Sequence, residues 1–463
     1  MYIMYHSEVS GKPKYIKLDM QLGFYDLFKK IESKNEYCHI FESLGEDSTR
    51  NRYHVIGFSP RSIISSVKID ELIIEDLQHN CIHKIECENA YEELRKLIPQ
   101  NILSREYAGG LVGFCAYDCI NYFDSSVCVK KHTDFETFKF ALYLDGLILD
   151  NVTNSIEYFY YNENRISIIN DLIQQEIPIE KSLDISFIKD TLSEKEHKLL
   201  MNKVKENIKL GNLFQCELGY QSKYTVQGDK RKIYDELRQI NPSPHMFYVK
   251  FKEQCIIGAS PELLVRLKDN EVESYPLAGT IKRGKSEVED KDLAKKLLQD
   301  QKEIAEHNML VDLHRNDIGK VSIFGTVRIR KLMDIKKFSH VQHISSEISG
   351  LLSPKYDMFS CLRANFPAGT LTGAPKIEAM NLIDEMEIEA RGIYGGAVGE
   401  FCFNGNCNFA IPIRSIFINK NEAYIQTCGG IVYDSEASKE YNEIQKKLAA
   451  SKIVLDKFNG DLK

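Results

Sequence analysis

Several absences limit what this chain can be. No apolar run approaches the roughly 20 residues that a membrane-spanning helix needs, and the 12 cysteines include no C-x-x-C pair that would suggest a zinc ribbon. The first residues lack the basic, then apolar, layout of a secretory signal. Acids outnumber bases by 67 to 60, which argues against a protein built to neutralise nucleic-acid phosphates. We expect a cytoplasmic protein with reduced thiols and with neither a membrane nor a nucleic-acid partner.

The common nucleotide-binding motifs are also missing. The run GTLTGAPK (369–376) lacks the spacing of a P-loop, and RGIYGGAVG (391–399) contains four glycines but no G-x-G-x-x-G. Glycines in such runs are more typical of turns and bulges than of phosphate binding. Nothing here predicts a nucleotide as cofactor.

The chain of 463 residues is 43% hydrophobic, enough for a large core in one very large domain or two closely packed ones. The first ~185 residues are rich in short β-type runs broken by turn clusters. Helical and strand patterns mix after that without regular alternation, which favours an antiparallel-rich α+β fold over a doubly wound sheet. We predict an N-terminal region over 1–188 and a catalytic domain over 189–463.

Several elements of the second part can be predicted individually. Ser193 and Glu196 form a capping box that predicts the start of a helix, and Gly211 predicts its end. One long helix is predicted over 291–313 and another over 438–456. A strand is predicted to end at Gly429 and Gly430, leaving backbone amides for an anion.

Two predicted helices carry acidic faces. Glu303 and Glu306 lie three residues apart, and Glu440 and Glu443 repeat that spacing near the C-terminus, with Lys447 one turn further on. Such faces are more often solvated surface pairs. If the two faces met, however, they would offer the carboxylates that hold Mg²⁺, and Lys447 could bind the anionic end of a substrate.

Other polar residues lie in apolar surroundings. Arg414 is predicted inside the strand IPIRSIF, where a guanidinium needs a partner such as an anionic ligand. The run SHVQHISSEISG carries two histidines, His340 and His343, which are candidate acids or bases or else structural histidines.

These runs, in this order, resemble the anthranilate synthase large subunits (component I, the aminase subunit) of the chorismate-utilising enzyme family. The resemblance covers most of the chain and is strongest from about 205 to 450. The matching runs are FES (41–43), RYHVIGFSP (52–60), GNLFQ (211–215), NPSPHMFY (241–248), GASPELLV (258–265), PLAGTIKRG (276–284), KEIAEHNMLVDLHRND (302–317), HVQHISSEISG (340–350), FPAGTLTGAPKIEAM (366–380), RGIYGGAVG (391–399), GGIVYDS (429–435) and the helix with Glu440, Glu443 and Lys447.

The resemblance implies a two-domain antiparallel β-sandwich with helices packed outside and the site in a cleft. It implies that Mg²⁺ is held by Glu306 and Glu443, with Glu303 and Glu440 close by. It implies that Glu262 is the general acid for the departing C4 hydroxyl of chorismate and that His343 serves the later loss of pyruvate. The remaining site residues that it implies are Gln215 and Thr370 with catalytic roles, Ala278, Gly279, Thr280, Tyr394, Arg414, Gly429, Gly430 and Lys447 for substrate binding, and Ser43, Pro244 and Met246 for allosteric control.

Two positions separate the branches of this family. Members that add water at C2 have a lysine base where this chain has Gln215, and a glutamine has no basic nitrogen. Members that form a covalent adduct carry lysine where Ala278 stands. The resemblance therefore implies ammonia attack at C2. The chain departs from the usual pattern at Glu217, His245, Pro412, Ser415 and Cys428.

The resemblance implies Mg²⁺-dependent conversion of chorismate and ammonia to anthranilate and pyruvate by way of 2-amino-2-deoxyisochorismate. It also implies a separate glutamine amidotransferase (glutaminase) subunit as the ammonia source. Two alternatives stay open: an aminodeoxyisochorismate synthase that stops before pyruvate loss, and a non-catalytic paralogue that binds chorismate or an amino acid and regulates a partner. The sequence leaves open whether the product would serve tryptophan biosynthesis or a secondary metabolite.

Overall fold

The computed structural model describes residues 9, 11–45, 52–104, 107–338 and 341–460. In these ranges the chain forms two 12-stranded sheets, and every strand pair is antiparallel. The predicted α+β sandwich is confirmed. His340 of the second histidine run lies outside the described residues.

The first sheet is described here in its spatial order. Its strands are β1 (Lys14–Leu18), β10 (Ser155–Tyr160), β9 (Asp145–Asp150), β3 (Tyr53–Phe58), β2 (Tyr37–Glu42), β13 (His245–Phe251), β14 (Gln254–Ser260), β23 (Ser415–Asn419), β24 (Glu422–Ile431), β12 (Gln215–Gly228) and β11 (Leu183–Asp190), with the short β20 (Gly373–Ala374) paired to β12.

The second sheet has the same number of strands. They are β17 (Leu277–Lys282), β19 (Val341–Leu351), β16 (Glu271–Ser274), β15 (Leu263–Lys268), β22 (Cys407–Ala410), β21 (Ala397–Cys402), β7 (Gly110–Cys115), β8 (Phe138–Tyr143), β4 (Ser62–Lys68), β5 (Glu71–Asp76) and β6 (Cys81–Glu86), with β18 (Arg328–Lys337) paired to β19.

The described part of the chain contains eleven α-helices. They are α1 (Phe24–Glu32), α2 (Ala90–Leu97), α3 (Ile120–Phe123), α4 (Ile166–Gln174), α5 (Glu194–Lys209), α6 (Arg231–Ile240), α7 (Glu287–Leu297), α8 (Gln301–Gly319), α9 (Met358–Asn365), α10 (Lys376–Met386) and α11 (Ala437–Asp456). No helix in the described ranges is long and apolar enough to span a membrane.

Strand β13 shows how the layers form. Its side chains alternate between two faces, as a two-residue period requires. Phe247 and Val249 join the core between the two sheets. Met246 and Tyr248 join a second core on the outer face of the first sheet, where apolar residues of α1, α4, α6 and α11 also pack. A strand buried on both faces needs apolar residues at nearly every position, which explains the run HMFYVKF.

The local predictions had mixed outcomes. The capping box of Ser193 and Glu196 is present, and α5 ends just before Gly211, which has a φ of 81°. Helix α11 matches its predicted bounds closely. The single helix predicted over 291–313 is wrong: α7 ends at Leu297, and α8 starts anew because the Asp300 side chain caps the amide of Lys302 at 3.0 Å.

Both sheets combine strands from distant parts of the chain. Strand β2 pairs with β13 in the first sheet, and β7 pairs with β21 in the second. The predicted boundary between 188 and 189 falls within β11, and the division into two domains stays a prediction.

Candidate active site

The predicted site residues come from elements of both sheets and surround Lys447 on α11. The positive charge of Lys447 acts to lower the pKa of Glu217 on β12, Glu262 after β14 and Glu306 on α8. Its charge also acts to lower the pKa of His343 on β19. A group that influences all four must lie among them, so the fold gathers these residues into one site.

Glu262 lies in the short connection between β14 and β15, where the backbone amide of Ile411 donates to its carbonyl at 3.1 Å. Its side chain is buried, and Thr370 Oγ1 donates to its Oε1 at 3.0 Å. Burial raises the pKa of Glu262 to about 8, although the Thr370 hydroxyl favours the ionised form. At neutral pH the carboxyl therefore carries a proton that it can donate.

Gln215 connects strand β12 to helix α8 across the site. Its side-chain nitrogen donates to Glu217 Oε1 at 2.9 Å and to Glu306 Oε1 at 3.2 Å. Its amide oxygen is buried and has no partner among the described residues. The amide thus bridges two carboxylates and still offers one acceptor to a ligand.

Four carboxylates come from α8 and α11. Burial, with repulsion from Glu306, raises the pKa of Glu303 to about 7, and burial also raises that of Glu306. Burial opposes ionisation of Glu443 too, but Lys447 outweighs it and holds the pKa of Glu443 below its usual value. Glu440 is buried, with Lys302 Nζ 3.8 Å from its Oε1.

These four carboxylates fit a divalent cation by charge and by donor type. They are hard oxygen donors whose mutual repulsion a cation would relieve. No three of them, however, bring oxygens within 4.8 Å of one another, in the part of the chain that the structure describes. Their assignment as metal ligands stays a prediction.

The Lys447 ammonium has two close polar partners. Its Nζ lies 2.9 Å from Glu443 Oε1 and donates to the carbonyl of Cys428 at 3.1 Å. Burial acts against its charge, but acidic neighbours led by Glu443 raise the pKa of Lys447 above its ordinary value. It therefore remains an ammonium that can bind a carboxylate.

His343 is oriented by the neighbouring strand β17. Its Nδ1 lies 2.9 Å from the carbonyl oxygen of Gly279 and 3.1 Å from Thr280 Oγ1. A carbonyl only accepts, so Nδ1 carries the proton and Nε2 keeps its lone pair. Burial lowers the pKa of His343 to about 4, which keeps the ring neutral and able to take a proton.

The structure corrects the prediction that Arg414 lies within a strand. Arg414 is in the connection between β22 and β23, with a φ of 51°, and β23 begins only at Ser415. The residue as a whole is half-buried, and no carboxylate among the described residues pairs with its guanidinium. Burial lowers the pKa of Arg414, opposed only by Tyr394. An anionic ligand would supply the missing partner.

The prediction that the strand ends at Gly429 and Gly430 is also wrong, because β24 continues to Ile431. Both glycines lie inside β24, where Gly429 pairs with Leu218 and Gly430 with Glu217. A Cβ on Gly430 would lie 2.4 Å from Gln215 Nε2 and 2.6 Å from Glu217 Oε1. A methyl group at this position would therefore have to displace the side-chain ends of Gln215 and Glu217.

Gly279 brings β17 close to α8. It has a φ of 65° at a break in the pairing with β19, between Ala278 and Thr280. A Cβ at Gly279 would lie 3.0 Å from Glu303 Oε2. The bulge therefore places the backbone of Gly279, a predicted substrate-binding residue, directly against the acidic face of α8.

Sequence reasoning noted Glu217 and Cys428 as departures but gave them no role. In the structure Tyr394 donates to Cys428 Sγ at 3.1 Å, and the Cys428 thiol donates to Glu217 Oε2 at 3.2 Å. Burial raises the pKa of Glu217 to about 7. One signal could have found Glu217: it lies two residues after Gln215 in a strand, so both face the same side.

The predicted allosteric residues lie at the end of β2 and the start of β13. Met246 and His245 line a cavity of about 90 Å³ between the sheets. Pro244 borders an adjoining cavity together with His245. The Ser43 hydroxyl is buried with no partner among the described residues. The allosteric role of these residues stays a prediction.

Comparisons with known proteins agree with this geometry. Residues 38–452 match the model of a family described as chorismate binding enzyme. The chain is 46% identical over 460 residues to "Anthranilate synthase component 1" of Leptospira biflexa, with 98% of each chain covered. It is 40% identical to the protein of the same name from Methanothermobacter marburgensis, covering 95% of this chain and 94% of the relative. Anthranilate synthase component I from Streptococcus pneumoniae superposes with a TM-score of 0.77 at 30% identity, over 88% of this chain and 93% of that one.

Proposed function

Since the chain belongs to the chorismate binding enzyme family, we propose that it forms anthranilate and pyruvate from chorismate and ammonia, with Mg²⁺ and by way of 2-amino-2-deoxyisochorismate. The full-length relatives named anthranilate synthase component 1 make it an enzyme acting on chorismate. The observation that carries the mechanism is Glu262, a buried carboxyl that stays protonated near neutral pH beside Thr370.

In the first half-reaction the nitrogen of ammonia forms a bond to C2 of chorismate, the ring double bonds shift, and the C4–O bond breaks. Hydroxide is a poor leaving group, so Glu262 gives its proton to that oxygen and water departs. Lys447 and Arg414 hold the carboxylates of the substrate. Mg²⁺, bound through Glu306 and Glu443 with Glu303 and Glu440 beside them, would neutralise a substrate carboxylate and fix its position.

In the second half-reaction the neutral His343 takes the proton from C2. The C3–O bond to the enolpyruvyl group breaks, the ring becomes aromatic, and the enolpyruvate picks up a proton to become pyruvate. A base with a lone pair on Nε2 is required, and the bond from Nδ1–H to the Gly279 carbonyl supplies that tautomer.

The choice of ammonia over water rests on Gln215, which cannot take a proton from water. Its neighbour Glu217, with a pKa of about 7, is one carboxylate near it that could act as a base. Product identification is therefore the deciding experiment. Purified chain with chorismate, Mg²⁺ and ammonium salt at alkaline pH should yield fluorescent anthranilate and at most a trace of isochorismate.

Other outcomes of that experiment would support other functions. A non-fluorescent amino product would indicate an aminodeoxyisochorismate synthase. No product, with chorismate or an amino acid still bound, would indicate a regulatory paralogue. Isochorismate as the main product in the presence of ammonia would show that water is the nucleophile.

We further propose a separate glutaminase subunit that docks over the chorismate cleft. Near neutral pH most ammonia in solution is protonated to ammonium, which lacks the lone pair that attacks C2. The relatives are named as component 1 of an enzyme, which supports a second component. Phe214, next to Gln215, is 72% exposed and Leu210 is 77% exposed, so an apolar surface adjoins the site.

This partner proposal has its own test. The isolated chain should ignore glutamine and use ammonium salts, with activity that rises steeply with pH as neutral ammonia increases. Adding the glutaminase subunit should confer activity with glutamine. Glutamine-dependent anthranilate formation by the purified chain alone would contradict the proposal.

The cavity beside Met246 and His245 is the proposed place of feedback control by an amino acid such as tryptophan. It lies between the sheets, and Pro244 lines the adjoining cavity together with His245. Ser43 directly follows Glu42, which lines the first cavity. The role would be supported if tryptophan inhibited the wild type and inhibited Met246→Ala more weakly. Turnover without tryptophan should be the same in both proteins. Unchanged inhibition in that variant would contradict it.

A further inference from the structure

Three side chains with metal-binding atoms meet at the hairpin of β5 and β6. Asp76, the last residue of β5, pairs directly with Cys81, the first residue of β6. His83 follows two residues later on the same face of β6. The ligating atoms of Asp76, Cys81 and His83 all lie within 4.8 Å of one another.

This group lies far from the active site within the second sheet. Strand β6 ends the sheet on one side, whereas β17 and β19, which carry Thr280 and His343, end it on the other. The hairpin therefore offers a separate place for a ligand, and no step of the proposed reaction uses it.

The Asp76 carboxylate is already oriented as a metal ligand would be. Its Oδ1 accepts from Arg61 and from the backbone amides of Gln78 at 3.0 Å and His79 at 2.9 Å. Its Oδ2 faces His79 Nδ1 at 3.1 Å. One oxygen is thus fixed by neighbours, as outer-shell partners fix ligating carboxylates, and the other contacts a histidine whose side chain is 64% exposed and can turn away.

The spacing of the other two atoms matches a tetrahedral site. Cys81 Sγ lies 3.3 Å from His83 Nε2. Around one zinc ion, with Zn–S of about 2.3 Å and Zn–N of about 2.0–2.1 Å at tetrahedral angles, sulfur and nitrogen would lie roughly 3.5 Å apart. Little movement is needed for both atoms to bind one ion.

We propose that the β5–β6 hairpin binds Zn²⁺ through Asp76 Oδ2, Cys81 Sγ and His83 Nε2, with water in the fourth position. Thiolate and imidazole select zinc and similar transition metals over Mg²⁺. Cys81 releases its proton to solvent when the ion binds, and the ion joins β6, an edge strand, to the end of β5. Both Cys81 and His83 are partly exposed, so the ion can enter from solution.

The test uses the full chain without a histidine tag, stripped with a chelator and then titrated with Co²⁺ in excess Mg²⁺. We expect one equivalent of Co²⁺ to give a thiolate-to-cobalt charge-transfer band, and Zn²⁺ to remove that band by displacing the cobalt. Cys81→Ser should abolish the band, and His83→Gln should weaken Co²⁺ binding by at least ~10-fold, since even outer-shell partners are worth about 10–100-fold.

Cys128→Ser is the matched control, because Cys128 is an exposed thiol on another part of the chain and should leave the band unchanged. Turnover of chorismate should stay at the wild-type rate in Cys81→Ser and His83→Gln, which shows that both variants fold. No charge-transfer band in the wild-type protein, or an undiminished band in Cys81→Ser, would overturn the proposal.

Discussion

Replacing Glu262 by glutamine is the sharpest test of the proposed acid. The Glu262→Gln variant would keep the size of the side chain and an oxygen that can accept from Thr370, whose hydroxyl donates to the wild-type Glu262 at 3.0 Å. Only the transferable proton is lost. Substrate binding should therefore persist while the chemical step slows.

The expected size follows from the chemistry of the step. General acid catalysis contributes roughly 10²–10⁴-fold, so kcat should fall by that factor while KM for chorismate changes only a few-fold. In the wild type the pKa of Glu262, raised to about 8 by burial, leaves about ten protonated carboxyls for each ionised one at pH 7. At a fixed concentration of neutral ammonia, wild-type turnover should fall about tenfold for each pH unit above about 8.

The assay is anthranilate fluorescence with ammonium salt, corrected at each pH to constant neutral ammonia. Asp118→Asn is a matched control, because Asp118 is another buried carboxyl that accepts from a threonine, Thr137, at 2.7 Å and has a pKa raised by burial to about 6. That control should stay within a few-fold of wild type. Turnover by Glu262→Gln within a few-fold of wild type would refute the role of Glu262 as the acid.

The same variant should also change how the free energy of unfolding depends on pH. Burial raises the folded-state pKa of Glu262 to about 8 from an ordinary 4.5, so the stability that its neutral form contributes is complete below about pH 4.5 and is lost as pH rises through about 8. Denaturant unfolding should show the free energy of unfolding of the wild type falling relative to that of Glu262→Gln between about pH 5 and pH 8, with no further change at higher pH. A stability difference that is independent of pH would show that the folded-state pKa is not raised.

Four further variants test other parts of the site. Glu306→Gln and Glu443→Gln should each abolish turnover at ordinary Mg²⁺ concentrations, because each removes a negative charge that balances the ion. The circular dichroism spectrum of both variants should stay unchanged. Near-wild-type activity in either variant would refute the metal assignment. Gly430→Ala should lower kcat by at least ~10-fold, because the added Cβ would lie 2.4 Å from Gln215 Nε2 and would displace the amide. Unaltered kinetics would show that the position of the amide is unimportant. His343→Gln should release the amino intermediate in place of anthranilate, detected by chromatography, and full anthranilate yield would exclude His343 as the base.

The sequence predicted best where local chemistry decides. Helix α5 begins at Ser193 because a serine and a glutamate three residues apart satisfy each other's backbone amides, a rule that needs no tertiary information. The break between α7 and α8 was missed because no glycine or proline marks it. Asp300 alone caps the new helix, and an aspartate within a charged run is easily taken for a surface residue.

The site was predictable by residue type but not by geometry. The carboxylates and Lys447 could be chosen because three- and four-residue steps share a helix face. The pairing of Gly430 with Glu217 depends on the register of β24 against β12, which are separated by about 200 residues of chain. Nor could the turn at Arg414 be predicted, since its φ of 51° depends on the chain path between β22 and β23.

The mixing of distant strands in both sheets has a consequence during synthesis. Strand β2 ends at residue 42, and its partner β13 starts at 245, so about 200 residues must still be added before the two can pair. At a typical translation rate this takes roughly 10–40 s. The interval before pairing is longer for β7, because its partner β21 begins only at residue 397. During that interval apolar strands of the nascent chain lack their final neighbours, and a chaperone that shields strand edges on the ribosome should raise the yield of active enzyme.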